Sequence, residues 1–169
     1  QFRIAHTDDA ILVHYKVKEA SVRAVAAGDN GAVWEDACVE FFSIPAGDGI
    51  YYNVECNCAG ILLIGAGAGR ENREHAPQEV MDKVQRWSSL GRQSFEERVG
   101  ECNWELALVI PYSAFFKHQI TSLDGKTVRA NFYKCGDKLQ TPHFLSWNPI
   151  ALEKPNFHCP EFFGTLNFE

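Results

Sequence analysis

Residues 10–19 read AILVHYKVKE, with Ile11, Val13, Tyr15 and Val17 alternating against Leu12, His14 and Lys16. A period of two puts one set on each face of an extended chain, so this stretch predicts a half-buried strand. Further strands are expected at 38–44, 50–57, 60–64, 84–88, 94–99, 103–110, 127–135 and 162–168. Between the second and third stands Pro45-Ala46-Gly47-Asp48-Gly49, a run that tolerates tight backbone angles. A helical turn is expected only at 78–84 and at 112–118, the latter following Pro111, which suits a first helical position. Short strands joined by Gly, Asp and Pro turns predict an all-β fold, an antiparallel β-sandwich or jelly roll with one or two short helical turns.

No repeat, linker or low-complexity tract divides the chain, so residues 1–169 are expected to form one domain. A chain of this length buries roughly two-thirds of its unfolded surface and folds without staples. It opens directly on QFRIAH, which fits a domain trimmed of an initial strand and carries no leader from which localisation can be read. The net charge of -6 argues against nucleic acid or an anionic membrane as partner, and neutral partners fit better. The longest apolar stretch, near 61–64, is far too short to span a bilayer. Nothing in the sequence fixes an oligomeric state.

The segment VWEDACVEFF, 33–42, sets Trp34, Glu35 and Asp36 directly before a strand that carries Glu40 among apolar residues. A hairpin turning at 46–49 places Glu40 opposite or beside Glu55, Phe42 near Asn53 and Ile44 near Tyr51. Asn53, Glu55 and Asn57 then share one face, which is poor core because buried carboxylates and amides need partners. That face is either solvated or a binding surface, and solvated is the default for an antiparallel sheet. Paired carboxylates also raise glycoside hydrolysis, which needs two acids flanking the scissile bond. Here both would project from one sheet, so binding is favoured over catalysis.

Other candidate motifs have cheaper explanations. In ILLIGAGAGR, 61–70, the third glycine falls one place early for a dinucleotide loop, and Pro77 interrupts the helix that should follow, so a strand and mobile loop are expected. The cysteines read as buried free thiols, and Cys56-x-Cys58 matches neither a zinc knuckle nor a redox pair. The histidines show no metal-ligand spacing. Asp8-Asp9, Gly28-Asp29-Asn30-Gly31 and Asp48 offer oxygen ligands for a structural calcium, although turn chemistry explains them as well.

The segments VWEDACVEFF, WELALVIPYSAF, RANFYKC, FLSW and PNFHCPEFFGTLNF, in that order, resemble the family 9 carbohydrate-binding modules and their DOMON-like β-sandwich relatives over nearly the whole chain. The resemblance implies a sandwich whose concave sheet and end loops hold a sugar between two aromatic rings, with acid and amide groups bonding its hydroxyls. The apolar C–H face of a pyranose packs on an aromatic ring, while its hydroxyls need oriented polar partners. Carried over by position, the first aromatic is Trp34, the acid six places on is Glu40, and the second aromatic is Phe157, where the sugar binders have tryptophan. The modules place an arginine and an asparagine on the strand after the acid. This chain has Asn53 and Glu55 there, which removes the cation and brings two acids together.

Each role has a plainer alternative. Trp34 could anchor the start of the strand, Phe157 could be core, and Asn131 and His158 could line the site or satisfy backbone groups; Trp147 is expected in the core. The resemblance implies a non-catalytic module that binds the end of a glycan or an oligosaccharide, in an extracytoplasmic setting of polysaccharide utilisation. No cofactor is then required, and structural calcium ions are compatible with it. A haem-binding electron-transfer domain is the alternative from another class; it needs an axial pair, and Met81 is the only methionine. A degenerate interaction domain and, less readily, a glycoside hydrolase complete the alternatives.

Overall fold

The computed structural model describes residues 1–169. Its strands are β1 (Phe2–His6), β2 (Ala10–Ala24), β3 (Cys38–Ile44), β4 (Tyr51–Asn57), β5 (Leu62–Gly67), β6 (Glu74–His75), β7 (Gln85–Ser88), β8 (Phe95–Pro111), β9 (Thr127–Cys135), β10 (Phe144–Ser146) and β11 (Gly164–Asn167). They form two antiparallel sheets. The first has the order β1-β2-β8-β7, and the second β10-β9-β3-β4-β5-β6, with β11 also paired to β9. The single α-helical turn, α1 (Gln78–Met81), and a 3-10 turn at Tyr112–Ala114 fall where helical turns are expected.

Alternation decides which side chains meet between the sheets. From the first sheet come Ile11, Val13, Tyr15, Trp104, Leu106 and Leu108; from the second, Val39, Phe41, Val54, Ile64, Ala130 and Phe132. Phe132 stacks on Phe41 at 4.9 Å and on Phe2 at 3.9 Å, which ties the N-terminal strand to the core. On the outer face of the first sheet His14 and Lys16 both reach Glu105 of β8, at 2.8 and 3.2 Å. This is the polar outer side that the pattern of residues 10–19 predicts.

The structure departs from the expected strands in several places, and the short β6 and β10 are additions to them. Phe2–His6 pairs with β2 as an unexpected first strand, and its burial alternates residue by residue, with Phe2, Ile4 and His6 on the more covered side. The expected strands 94–99 and 103–110 are one strand, β8, because Gly100 adopts a φ of +132° and the register shifts between Glu19 and Ser21 of β2, so a bulge carries the strand through. At the C-terminus a 3-10 turn, Pro160–Phe162, precedes the short β11. The β3–β4 hairpin has the anticipated register, with Glu40 opposite Glu55 and Phe42 opposite Asn53.

Phe41 is fully buried at the centre of this core. Replacing it with alanine should cost about 3–5 kcal/mol of stability in urea unfolding. Lys18→Ala, on the exposed face of β2, should stay within about 0.5 kcal/mol.

Candidate functional site

The outer face of the second sheet carries Cys38, Glu40 and Phe42 on β3, Asn53, Glu55 and Asn57 on β4, and Asn131, Tyr133 and Cys135 on β9. All nine are buried, so this polar face is not solvated as the default for such sheets would have it. Three segments cover it, and each is held by a polar side chain.

The first covering segment is the C-terminal stretch 148–163. The Asn131 amide donates to Asn148 O at 3.0 Å, and its Oδ1 accepts from Asn148 N at 2.8 Å. The Tyr133 hydroxyl donates to Phe157 O at 3.1 Å, and Arg129 donates to the carbonyls of Pro160, Glu161 and Phe163. Phe42, Tyr51, Tyr133 and Phe163 close a small second core beneath it. The second segment is the loop before β3. There Asp36 Oδ2 accepts from Val25 N, Ala26 N and Asn57 Nδ2 at 3.0, 2.9 and 2.9 Å. The 3-10 turn Val33–Glu35 that presents Trp34 is thereby fixed, and Glu35 pairs with Lys138 at 2.8 Å. The two acids of VWED therefore build the loop and do no chemistry in the cleft.

The third segment follows β5. Arg73 Nε and one terminal nitrogen donate to Asn53 Oδ1 at 3.0 and 2.6 Å, and the guanidinium also reaches the carbonyls of Tyr51 and Gly69 at 2.9 and 2.8 Å. It lies 3.9 Å from the centre of the Tyr51 ring. Asn53 Nδ2 in turn donates to Glu55 Oε1 at 2.8 Å. Gly65 lies directly against Asn53: a Cβ there would come within 2.6 Å of Asn53 Oδ1, so glycine leaves the room that this amide occupies.

Between these covers a cleft of about 340 Å³ stays open. Glu40, Asn53, Glu55 and Cys135 contribute to its lining from the sheet, Phe144 from its edge strand β10, and Trp34, Phe157, Arg70, Arg73 and His158 from the surrounding segments. Trp34 keeps 40% of its surface exposed. The Phe157 ring stacks on Tyr133 at 4.1 Å with 7° between planes, and Phe144 lies 6.2 Å away at a steep angle.

Burial dominates the electrostatics. It raises the Glu55 carboxyl to about 7, against the opposing effects of the Asn53 hydrogen bond and Arg73. Burial, then Glu55 and Cys135, push Glu40 well above the usual carboxylate range. His158 goes the other way, to about 4, because burial and the charges of Arg73 and Arg70 disfavour its cation. Its Nδ1 is 2.8 Å from the Tyr51 hydroxyl. The cleft therefore offers carboxyl, amide and imidazole groups held by the protein, with both carboxyls harder to ionise than usual and the imidazole neutral near pH 7.

Of the residues singled out from the sequence, Trp34, Glu40, Asn53, Glu55, Phe157 and His158 come together at this cleft. Asn131 lies outside it, since both ends of its amide serve the 148 segment. Trp147 is 44% exposed at the sandwich edge, packed edge-on against Phe2 and Phe132, and is not core. Phe144, Arg70 and Arg73 were missed by sequence reasoning. The cation absent from β4 returns in Arg73, from the run after GAGAG, where no periodicity marks it.

The other motifs have structural employment. Asp29 forms a two-pronged pair with Arg86 at 2.7 Å and accepts from Leu62 N. Asp48 caps Ile50 N and meets His118 at 2.9 Å. Cys56 lies in the main core, and so does Met81, which is fully buried and not an axial ligand presented to a cavity.

The sequence profile of carbohydrate-binding family 9 matches residues 1–168, and the chain belongs to that family. Among solved structures, a protein from Bacteroides uniformis ATCC 8492 to which carbohydrate binding is ascribed is 72% identical, with a TM-score of 0.97 over 99% of this chain and 77% of its own. A family 9 module from Caldicellulosiruptor kristjanssonii, solved in complex with glucose, shares the fold at a TM-score of 0.60 and 11% identity, over 99% of this chain and 75% of its own. No curated protein matches the chain.

A pH prediction follows from His158. Its folded pKa of about 4 lies below the ordinary 6.5, so between these values the unfolded chain binds the proton first and stability falls as pH falls. The loss attributable to this group reaches at most about 3 kcal/mol by pH 4. His158→Gln removes it. Urea midpoints should therefore shift in favour of the variant on going from pH 7 to pH 4, and parallel curves would contradict the assignment.

Proposed function

We propose that the cleft bounded by Trp34, Phe144 and Phe157 binds a carbohydrate, either the end of a glycan chain or an oligosaccharide, without catalysis. One juxtaposition carries the reading: aromatic rings stand beside a sheet surface whose carboxyls and amide are buried, oriented and hydrogen-bonded before any ligand arrives. Rings suit the C–H face of a pyranose, and fixed polar groups suit its hydroxyls. Membership of family 9 and the glucose complex of the Caldicellulosiruptor module point the same way.

In this reading Trp34 and Phe157 stack on the sugar, with Phe144 extending the apolar wall. Glu40, Glu55 and Asn53 meet hydroxyls, Arg73 orients Asn53 from behind, and His158 offers a neutral ring nitrogen. A hydrolase is disfavoured by placement: Glu40 and Glu55 are register partners on adjacent strands and project from one face, so they do not flank a bond. A glycan-binding module of this kind would work outside the cytoplasm, where polysaccharide is met; no helix of the protein is long and apolar enough to cross a membrane.

Binding is tested on a glycan array followed by calorimetry. Trp34→Ala, with an unchanged circular dichroism spectrum, should weaken binding by about 2 kcal/mol or more, roughly thirtyfold in Kd. Asn53→Ala should weaken it too, since it removes a hydroxyl partner and strands Arg73. Failure of the unaltered chain to bind any glycan would overturn the reading. Release of product from oligosaccharides, lost in Glu40→Gln, would instead establish a hydrolase.

A further inference from the structure

Beneath the cleft, Cys38 and Cys135 are direct register partners of β3 and β9, so their side chains leave the same face of the sheet. Glu40, two residues along β3, shares that face, and Cys135 Sγ lies 3.1 Å from Glu40 Oε1. One donor atom from each of the three can be chosen so that all lie within 4.8 Å of one another, and all three residues are buried. We propose that Cys38, Glu40 and Cys135 form a binding site for a thiophilic divalent cation of the zinc class.

Buried thiols alone would be small apolar filling, as Cys56 is in the main core. The carboxyl beside this pair changes the chemistry. Glu40 takes part in no salt bridge: its carboxyl accepts from the Cys135 thiol, and its register partner across the hairpin is another acid, Glu55. Arg73 is engaged with Asn53, three backbone carbonyls and the Tyr51 ring. A buried carboxyl among acids and thiols is costly unless neutral or paired with positive charge, and a metal ion supplies that charge.

Zinc–thiolate bonds of about 2.3 Å and zinc–carboxylate bonds of about 2.0–2.2 Å set tetrahedral ligand atoms roughly 3.4–3.8 Å apart, a small contraction from the present cluster. Each thiol gives its proton to solvent as its sulfur takes the metal, so binding releases protons. Glu40 and Cys135 both line the cleft, which leaves the remaining coordination position on that side for water or the Glu55 carboxylate. The spacing of Cys38 and Cys135 in the sequence matches no metal motif, because the strand register alone brings them together.

The proposal does not depend on sugar binding, and its test uses metal alone. Metal-free, reduced protein is titrated with cadmium ion. A sulfur-to-cadmium ultraviolet charge-transfer band should saturate at about one equivalent, accompanied by proton release in weak buffer. Cys38→Ser and Cys135→Ser should each abolish the band, while Cys159→Ser retains it. Should the cysteine variants fold poorly, Glu40→Gln keeps both thiols and should weaken the apparent affinity at least about tenfold. Absence of a saturable band, its survival in both Cys38→Ser and Cys135→Ser, or an unweakened Glu40→Gln would overturn the proposal. So would a Cys38–Cys135 disulfide that resists reduction, seen as a mass lower by two hydrogens.

Discussion

The carboxylate of Asp36 is the interaction on which most of the cleft depends. It is fully buried, accepts two backbone N–H bonds from the end of β2 and one from the Asn57 amide, and has Arg23 Nε 3.5 Å from its second oxygen. A carboxylate removed from water is tolerated only when so many partners meet it, and in meeting it they fix four pieces of chain relative to one another. These are the end of β2, the turn bearing Trp34, the start of β3 and the end of β4. The ring of Trp34 is therefore placed by an acid two residues away that never touches the cleft.

The same logic recurs at the other covers. Asn131 satisfies both backbone groups of Asn148, and Arg73 donates to Asn53 and three carbonyls. A polar sheet face that would ordinarily be solvated becomes an interior whose polar atoms are claimed by loops, apart from those left open to the cleft. Burial of this kind raises the stakes of each hydrogen bond, since an orphaned group costs more than a satisfied one gains.

This explains what could be read from the sequence. Alternation made β2, the β3–β4 hairpin and β9 legible, and with the hairpin came the pairing of Glu40 and Glu55, because strand register follows from a short turn. Trp34 stands out in VWEDACVEFF, but its pairing with Phe157 was reached only through resemblance, since no local pattern links positions so far apart. Arg73 stayed hidden because a loop residue that folds back over a sheet has no period to betray it, and Phe144 because β10 is only three residues long, too short for alternation to show. Asn131 could be read as structural or as part of the site, and only the position of Asn148 decides between them. The bulge at Gly100 hid the continuity of β8, because a glycine between two alternating runs also marks a turn.

Phe157 shows how the smaller ring is used. One of its faces is spent on Tyr133, whose hydroxyl also holds the Phe157 carbonyl, so the ring is braced from behind as well as along its backbone. A braced ring loses little freedom when a ligand arrives, and the same holds for Asn53 and Glu55, which are oriented by Arg73 before binding. Interaction energy that a flexible site would spend on ordering its own side chains is retained for the ligand. In the proposed binding mode, a phenylalanine in place of a larger indole would cost stacking area but not preorganisation. An acid and an amide on β4, where the family pattern has a cation, would in that mode change which hydroxyl geometries fit while leaving the rigidity of the cleft intact.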